Sequence, residues 1–220
     1  MNAKHLIYIV ILVIIGVCIY SFHSGSGGAG EVNAIAGLPE PKQSKLGKND
    51  EAIKQVEIKG MNLFVTCKYK YEVDALVVSA KDYKGFSIQD SICPKDLALA
   101  WGKVAEYNKD IDFQWEQSNR FCYWTIDVPE DYAKIGGADG VTQNSSNNHI
   151  FPATTTVKND LKKVKKGDHI HLEGYLVDIQ GIDKDGYTFT WTSSTSRTDS
   201  GDGACEVIYT TKIDLVNGQD

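Results

Sequence analysis

The chain has 220 residues, of which 23 are lysine or arginine and 29 are aspartate or glutamate, so its net charge is −6 at pH 7. A nucleic-acid-binding protein would be expected to carry a basic face, and this balance therefore argues against a nucleic-acid partner. Setting aside an apolar N-terminal segment and the polar spacer behind it leaves roughly 170 residues, which is enough for one domain with its own core.

The N-terminal segment from Leu6 to Phe22 contains no charged side chain. It just reaches the roughly 17 residues that a membrane-spanning helix needs. Lys4 precedes it and the next basic lysine is Lys42, an asymmetry that predicts a cytoplasmic N-terminus and an exported remainder. The sequence therefore predicts a single-pass protein of the bacterial inner membrane with its domain in the periplasm. Two alternatives remain, a signal peptide cleaved near Ala29 and a lipoprotein modified at Cys18.

These features divide the chain into five parts. Residues 1–5 are predicted to be cytoplasmic, 6–22 to form a transmembrane signal-anchor, and 23–49 to form a flexible linker. Residues 50–216 are predicted to form the exported globular domain, and 217–220 a short tail. The linker assignment rests on a composition rich in Gly, Ser and Pro, with few large apolar residues.

Several stretches alternate between apolar and polar residues, which is typical of strands. Strands are predicted at Leu63–Tyr71 and Val73–Ser79, and a longer aromatic strand at 115–128. The last third of the chain predicts a three-stranded meander, which begins at His169 and ends at Leu215.

Two helices are predicted, from Pro94 to Asn108 and from Thr154 to Val164. Pro94 suits a first helical turn, and the apolar residues that follow it form a stripe. Residues 129–148 are predicted to be a long polar loop. Together these elements predict an α+β fold, with a mostly antiparallel, partly closed β-sheet and two helices, preceded by one transmembrane helix.

Four cysteines fall in the predicted exported domain. An even number of cysteines in an oxidising compartment favours two disulfides. Of the three possible pairings, Cys67–Cys122 with Cys93–Cys205 is preferred, and four buried free thiols are the alternative.

Two histidine arrangements could support chemistry. His149 with Cys205 could act as an imidazole–thiolate pair. His169 and His171 share one face of a predicted strand with Glu173, and this spacing could serve a metal if His149 supplied a third ligand. Neither pattern matches an established catalytic or metal-binding motif, so no cofactor is predicted.

The polar segments around these residues suggest a binding surface. It comprises Asn144–His149 and Thr192–Gly203, with Asn148, His149, Arg197 and Asp199 as candidate binding residues. Arg197 could bind a carboxylate or pair with a structural acid, as could Arg120, the only other arginine.

Aromatic residues at alternate positions could add a stacking platform for a sugar or peptide. They are Trp115, Phe121, Tyr123, Trp124, Tyr187, Phe189 and Trp191. The sequence thus favours a non-catalytic binding or interaction module of the envelope, whose partner is a protein, a peptide or a glycan. The alternative is an envelope hydrolase or a metal-dependent enzyme that uses His149 with Cys205 or the His169/His171 face.

Five motifs stand out between Val56 and Tyr209. They are DLALAWG (Asp96–Gly102), QSNRFCYW (Gln117–Trp124), NHIFPA (Asn148–Ala153), GDHIHLEGYLVDI (Gly167–Ile179) and WTSSTSRTDSGDGACE (Trp191–Glu206). With them the chain resembles a family of uncharacterised bacterial proteins that have an N-terminal membrane segment and an exported domain, although Ala100 stands where the family pattern has Gly. The resemblance implies an envelope location and no particular activity. The segment from Gly167 to Ile179 also resembles the opening of OB-like barrels, which implies a small-barrel tendency.

Overall fold

The computed structural model describes residues 33–201 and 203–216. Within them the chain forms ten strands and five helices. The strands are β1 (Lys42–Ser44), β2 (Ile53–Ile58), β3 (Met61–Asp82), β4 (Lys95–Ala100), β5 (Glu116–Ser118), β6 (Phe121–Tyr123), β7 (Ser145–Pro152), β8 (His169–Asp183), β9 (Thr188–Thr192) and β10 (Glu206–Leu215). The helices are α1 (Ile88–Ile92), α2 (Gly102–Tyr107), α3 (Asp131–Ile135), α4 (Gly137–Gln143) and α5 (Thr155–Leu161).

Eight strands form one sheet, in which β1, β3, β4, β7, β10, β8 and β9 follow one another and β2 pairs with β3. The pairing of β7 with β10 is parallel, and the other pairings of this sheet are antiparallel. Because β3 also pairs with β8, the path through β4, β7 and β10 returns to its start. The predicted α+β class with a mostly antiparallel, partly closed sheet is confirmed. β1, β2 and β9 lie outside the ring of strands, so the sheet as a whole is not a complete barrel.

The long strand β3 organises this sheet. Its predicted two strands are one continuous element of 22 residues, which pairs with β8 from Met61 to Leu76 and with β4 near its end. Tyr71, Val73 and Ala75 point into the core and are at most 2% exposed. Opposite Tyr71 lies Gly174, where an added Cβ would stand only 2.4 Å from the Tyr209 carbonyl oxygen of β10. The glycine of β8 therefore permits the close approach of the third strand.

The first predicted helix is wrong in its first half. Residues 95–100 form β4, which lies between β3 and β7 and has all six residues buried. The helix begins only at Gly102. The prediction failed because a short apolar run buried on both sides carries no periodicity that separates a strand from a helix.

The predicted loop over residues 129–148 is also corrected, because it contains α3, α4 and the first residues of β7. The fold thus has five helices in the described residues, where two were predicted. The second predicted helix is confirmed as α5, and the Thr154 hydroxyl accepts a hydrogen bond from the Val157 amide at its start. This is the usual way in which a threonine caps a helix.

The aromatic segment forms a short hairpin rather than one long strand. Strands β5 and β6 are joined by Asn119 and Arg120, which have positive φ values of 50° and 72°. The final meander is wrong as well, since β9 does not pair with β10: β10 pairs with the first part of β8 and with β7, and β9 pairs with the last part of β8.

Part of the segment assigned to the linker belongs to the fold. Leu38 is only 8% exposed, and the Ile35 amide donates to the Ala105 carbonyl over 2.9 Å. The predicted signal-anchor over Leu6–Phe22 and the tail over 217–220 lie outside the described residues. Among residues 33–201 and 203–216, no helix has the length and apolar character that crossing a membrane requires.

Candidate functional site

Two cavities meet beside the first residues of the parallel strands β7 and β10. The first, here called the aromatic cleft, has a volume of about 260 Å³ and lies between the β5–β6 hairpin, the start of β7 and the segment that leads into β10. The second, here called the histidine cavity, has a volume of about 390 Å³. Phe121 and Cys205 line both cavities and separate them.

Aromatic rings form one wall of the aromatic cleft. Trp115 and Trp124 are half-buried and line it together with Phe121. The Trp115 ring stacks on Phe113 with a centroid distance of 5.2 Å, and its Nε1 donates to Asn108 Oδ1 over 3.1 Å. These contacts hold the ring at a fixed angle, so the wall offers a pre-formed surface for stacking.

A buried ion pair forms the base of the cleft. Arg197 Nη2 lies 2.5 Å from Glu206 Oε1, and the Glu206 side chain is only 1% exposed. The second carboxylate oxygen, Oε2, is buried and has no hydrogen-bond partner. Burial raises the pKa of Glu206 to about 7, although Arg197 and Ser146 act in the opposite direction. An unpartnered buried oxygen is costly, and a ligand donor group would satisfy it.

Two predicted binding residues meet in this cleft, since both Arg197 and Asp199 line it. Asp199 is held by Ser194, whose hydroxyl donates to Oδ2 over 2.6 Å. Asn148 is not among the lining residues, because its side chain is fully buried and donates to the Leu97 carbonyl over 3.1 Å. Asn148 is therefore placed apart from the cleft that Arg197 and Asp199 line. Its neighbour Asn147 lines the cleft instead.

Asn147 connects the cleft to the structure behind it. Gln117 Nε2 donates to Asn147 Oδ1 over 2.7 Å, and Asn147 Nδ2 donates to the Arg120 carbonyl over 2.8 Å. The same Nδ2 lies 3.5 Å from Cys205 Sγ. Sequence reasoning placed Asn147 in a loop and missed this network, because its partners are 27 to 58 positions away in the chain.

His149 lines the histidine cavity and not the aromatic cleft. Its Nδ1 lies 3.0 Å from Asp96 Oδ1, and its ring packs against Trp191 with a centroid distance of 4.7 Å. Cys205 lines the same cavity, so the predicted imidazole and thiol do share one space. Burial raises the pKa of Cys205 to about 11, which keeps the sulfur a thiol at neutral pH and weakens it as a nucleophile.

Asp96 is the residue that sequence reasoning missed. It is fully buried, and its Oδ1 meets both His149 and Arg120. Its only signal in the sequence is a single acid within the apolar run of β4. Arg120 is the structural arginine of the two, because it also donates to Asp90 over 2.6 Å and to the Cys93 carbonyl over 2.9 Å.

The structure forms neither of the two predicted disulfides. The four cysteines of the described residues are free. Cys67 and Cys93 lie in one hydrophobic cluster beneath β2 and β8, whereas Cys122 and Cys205 line the aromatic cleft. Each predicted pair would have had to join a cysteine of the cluster to one of the cleft.

The predicted histidine metal set is also rearranged. His171 lies between two acids, with Nδ1 2.9 Å from Asp74 Oδ1 and Nε2 3.0 Å from Glu173 Oε1. Donor atoms of Glu72, Asp74 and His171 lie within 4.8 Å of one another. His169 is not part of this group, and its Nε2 is buried without a partner. His149, on β7, faces Asp96 of β4, so it is not the third ligand that was predicted.

The aromatic cleft is therefore the arrangement best suited to hold a ligand, since it combines stacking surfaces with a fixed ion pair and an unsatisfied acceptor. Ligand sites in proteins commonly pair apolar walls with a few placed polar groups. Comparison with protein-family models, curated proteins and solved structures finds no match to this chain.

Proposed function

We propose that this protein is a membrane-anchored module of the bacterial envelope, whose periplasmic domain binds a hydroxyl-rich ligand, most simply the end of a glycan, in the aromatic cleft. The observation that carries the proposal is the pairing of a half-buried tryptophan wall with the buried Arg197–Glu206 pair and its unpartnered Oε2. Anchorage rests on the apolar run of the sequence at Leu6–Phe22, with its N-terminus in the cytoplasm.

The chemistry of the cleft favours a sugar over a peptide. One face of a sugar ring is apolar enough to stack on an aromatic ring, while its hydroxyls need fixed donors and acceptors around the edge. Trp115 and Trp124 supply the first requirement, and the carboxylates of Glu206 and Asp199 supply the second. Hydroxyl groups add further partners around the rim, at Thr142, Ser145, Ser146, Ser196 and Ser200.

The size of the cleft supports the same conclusion. A volume of about 260 Å³ lies just below the range of roughly 300–1,000 Å³ that is typical of drug-sized ligands. It therefore suits a single ring or the terminal unit of a chain. An extended peptide would instead use the backbone of an exposed strand, with its side chains in separate pockets.

The proposal is tested by calorimetric titration of the full-length chain, purified in detergent, with a panel of monosaccharides and short oligosaccharides that includes N-acetylated amino sugars. We expect saturable binding of at least one of them. Trp124→Ala removes a stacking wall, and we expect it to weaken binding about tenfold, since an aromatic contact is worth roughly 1 kcal/mol or more.

Tyr187→Ala is the matched control for this titration, because Tyr187 is an aromatic residue that is 63% exposed and does not line the cleft. It should leave the affinity unchanged. The proposal is wrong if none of the sugars binds, or if Trp124→Ala and Tyr187→Ala bind as tightly as the wild type.

A second candidate function, that of an envelope hydrolase, is favoured by the histidine cavity. There Asp96 is placed to orient His149, with Cys205 in the same space. The raised pKa of Cys205 makes this candidate the weaker one. The same titrations distinguish the two functions. If the wild type consumed a sugar and His149→Ala did not, the protein would be an enzyme rather than a binding module.

A further inference from the structure

A charged face on the outside of β3, β8 and β10 is separate from the aromatic cleft. The register places Asp74 directly opposite His171, and His171 directly opposite Asp214. In the adjacent row, Glu72 lies opposite Glu173, and Glu173 opposite Lys212. Paired residues of neighbouring antiparallel strands project to the same side, with Cβ atoms about 5 Å apart. The sheet itself therefore sets these side chains side by side, and we call them the acidic face.

The donor atoms are already close together. Those of Glu72, Asp74 and His171 all lie within 4.8 Å of one another, and Glu173 Oε1 is 3.0 Å from His171 Nε2. The three side chains are half-buried, so they are held near the sheet and can still rotate. A first-row divalent ion binds nitrogen and oxygen at about 2.0–2.2 Å, so donor atoms this close together could surround a single ion.

The charge on this face is unbalanced. Four carboxylates, those of Glu72, Asp74, Glu173 and Asp214, surround the imidazole, while two lysines, Lys42 and Lys212, face them. Glu72 and Glu173 stand directly opposite each other across the strands, an arrangement that costs free energy when both are charged. With a neutral imidazole the excess is two negative charges, which one divalent cation would neutralise.

The lysines do not compensate for this arrangement strongly. Lys42 Nζ lies 2.9 Å from Glu72, but 70% of the Lys42 side chain is exposed, and Lys212 divides its ammonium group between Glu173 and Asp214. Exposed pairs of this kind typically contribute about 0–1 kcal/mol. A cation that binds the carboxylates directly would therefore displace the two lysines at little cost in free energy.

Access to the site is open. Glu72 and Glu173 border a surface recess of about 300 Å³, which also includes Lys70 and Tyr175. Asp74 and His171 lie beside this recess on the same face and are only half-buried, so the site has the path from solvent that a metal site needs.

We propose that Glu72, Asp74 and His171 form a site for a divalent transition-metal ion, with Glu173 holding the imidazole from its other ring nitrogen, Nε2. One imidazole with two carboxylates suits Zn²⁺ and its neighbours better than Ca²⁺ or Mg²⁺, which take oxygen ligands. The site involves none of the residues of the aromatic cleft, so it does not depend on the function proposed above.

The test is a calorimetric titration of the full-length chain in detergent with ZnCl₂, at a mildly alkaline pH where the imidazole is free to bind. We expect one ion per chain. His171→Ala should weaken binding more than about tenfold, because loss of an outer-shell partner alone costs about 10–100-fold. Glu72→Gln should also weaken it, and it keeps the shape of the side chain should His171→Ala fold poorly.

His169→Ala is the matched control, since it removes a second imidazole from the same strand that is not part of the cluster. It should bind Zn²⁺ as the wild type does. Visible absorption of the Co²⁺-loaded protein provides a second measurement, with bands that are present in the wild type and in His169→Ala and absent in His171→Ala. The proposal is overturned if the wild type shows no saturable Zn²⁺ binding, or if His171→Ala and Glu72→Gln bind it as tightly as the wild type.

Discussion

The two arginines of the chain each meet a buried carboxylate, but their surroundings differ. Arg120 donates to Asp96, Asp90 and the Cys93 carbonyl, and its guanidinium carbon lies 3.5 Å from the Tyr83 ring centroid. Arg197 pairs with one carboxylate, that of Glu206, beside the aromatic cleft, and the Oε2 of that carboxylate has no hydrogen-bond partner. A completed set of partners fits a structural role, whereas an incomplete one leaves a position for a ligand.

The largest effect that separates the two arginines should be on stability. Arg120→Ala leaves the fully buried Asp96 without its cation, and breaking a buried pair in this way typically costs about 3–5 kcal/mol. Arg197→Ala should cost less below pH 7, because Glu206 can take up a proton once its partner is gone. Urea denaturation at pH 6 measures both variants. If both variants lost the same free energy of unfolding, the two arginines would contribute equally to stability and the contrast between them would fail.

The pH dependence of stability sharpens the same contrast. The pKa of Glu206 rises from 4.5 to about 7 on folding because the carboxyl is buried. The folded state thus binds this proton more tightly than the unfolded state does. Its contribution to stability is present below pH 4.5 and is lost as the pH rises toward 7.

Glu206→Gln should remove this dependence. Relative to the variant, the wild type should lose about 2–3 kcal/mol between pH 4.5 and pH 7. Thermal or urea denaturation at several pH values measures the difference, and Asp199→Asn, on the same cleft, is the control that should leave the slope in place. A wild-type curve parallel to that of Glu206→Gln would show that Glu206 is already charged throughout.

The smallest expected effect concerns the tyrosine hydroxyl that lies next to each arginine, Tyr83 beside Arg120 and Tyr71 beside Arg197. The Tyr83 hydroxyl accepts a hydrogen bond from the Arg120 amide over 3.1 Å, so Tyr83→Phe should cost about 1 kcal/mol. The Tyr71 hydroxyl is buried near Arg197 and makes no well-formed hydrogen bond, although Arg197 and Ser146 both act to lower the pKa of Tyr71. Tyr71→Phe should therefore be neutral or slightly stabilising. Urea denaturation compares the two variants, and the contrast fails if Tyr71→Phe is the more damaging one.

The elements that were predicted correctly are those whose pattern is local. In β8, His169, His171 and Glu173 alternate with the buried Ile170 and Leu172, as the sequence indicates. Such an alternation arises wherever one side of a strand faces the core and the other faces solvent. It also predicted correctly that His169, His171 and Glu173 share the solvent-facing side, which includes part of the acidic face.

The elements that were missed depend on distant partners. β7 begins with polar residues, yet Asn147 and Asn148 are buried because their amides bond to β4 and to the β5–β6 hairpin. No local pattern distinguishes such a segment from a loop. Asp96 was missed for the same reason, since its role depends on contacts with Arg120 and His149, which are 24 or more positions away in the chain.

Half of the candidate cleft was foreseen and half was not. Arg197, Asp199 and several aromatic residues stood out by their chemistry alone. Glu206 did not, because an acid that opens a β-strand is unremarkable until its partners are known, and its burial follows from the parallel pairing of β10 with β7.

The length of β3 also determines the order in which the chain can fold. Met61 pairs with Asp183, and Leu76 with His169, so one whole edge of β3 lacks its partner until the last third of the chain has been made. Pairings across such separations form slowly, because a long loop must close before any contact compensates for the lost freedom. An unpaired edge of this length is also a template for association with other chains. The nascent domain is therefore most vulnerable to aggregation between the synthesis of β3 and that of β8, an interval in which a chaperone that covers strand edges would be of most use.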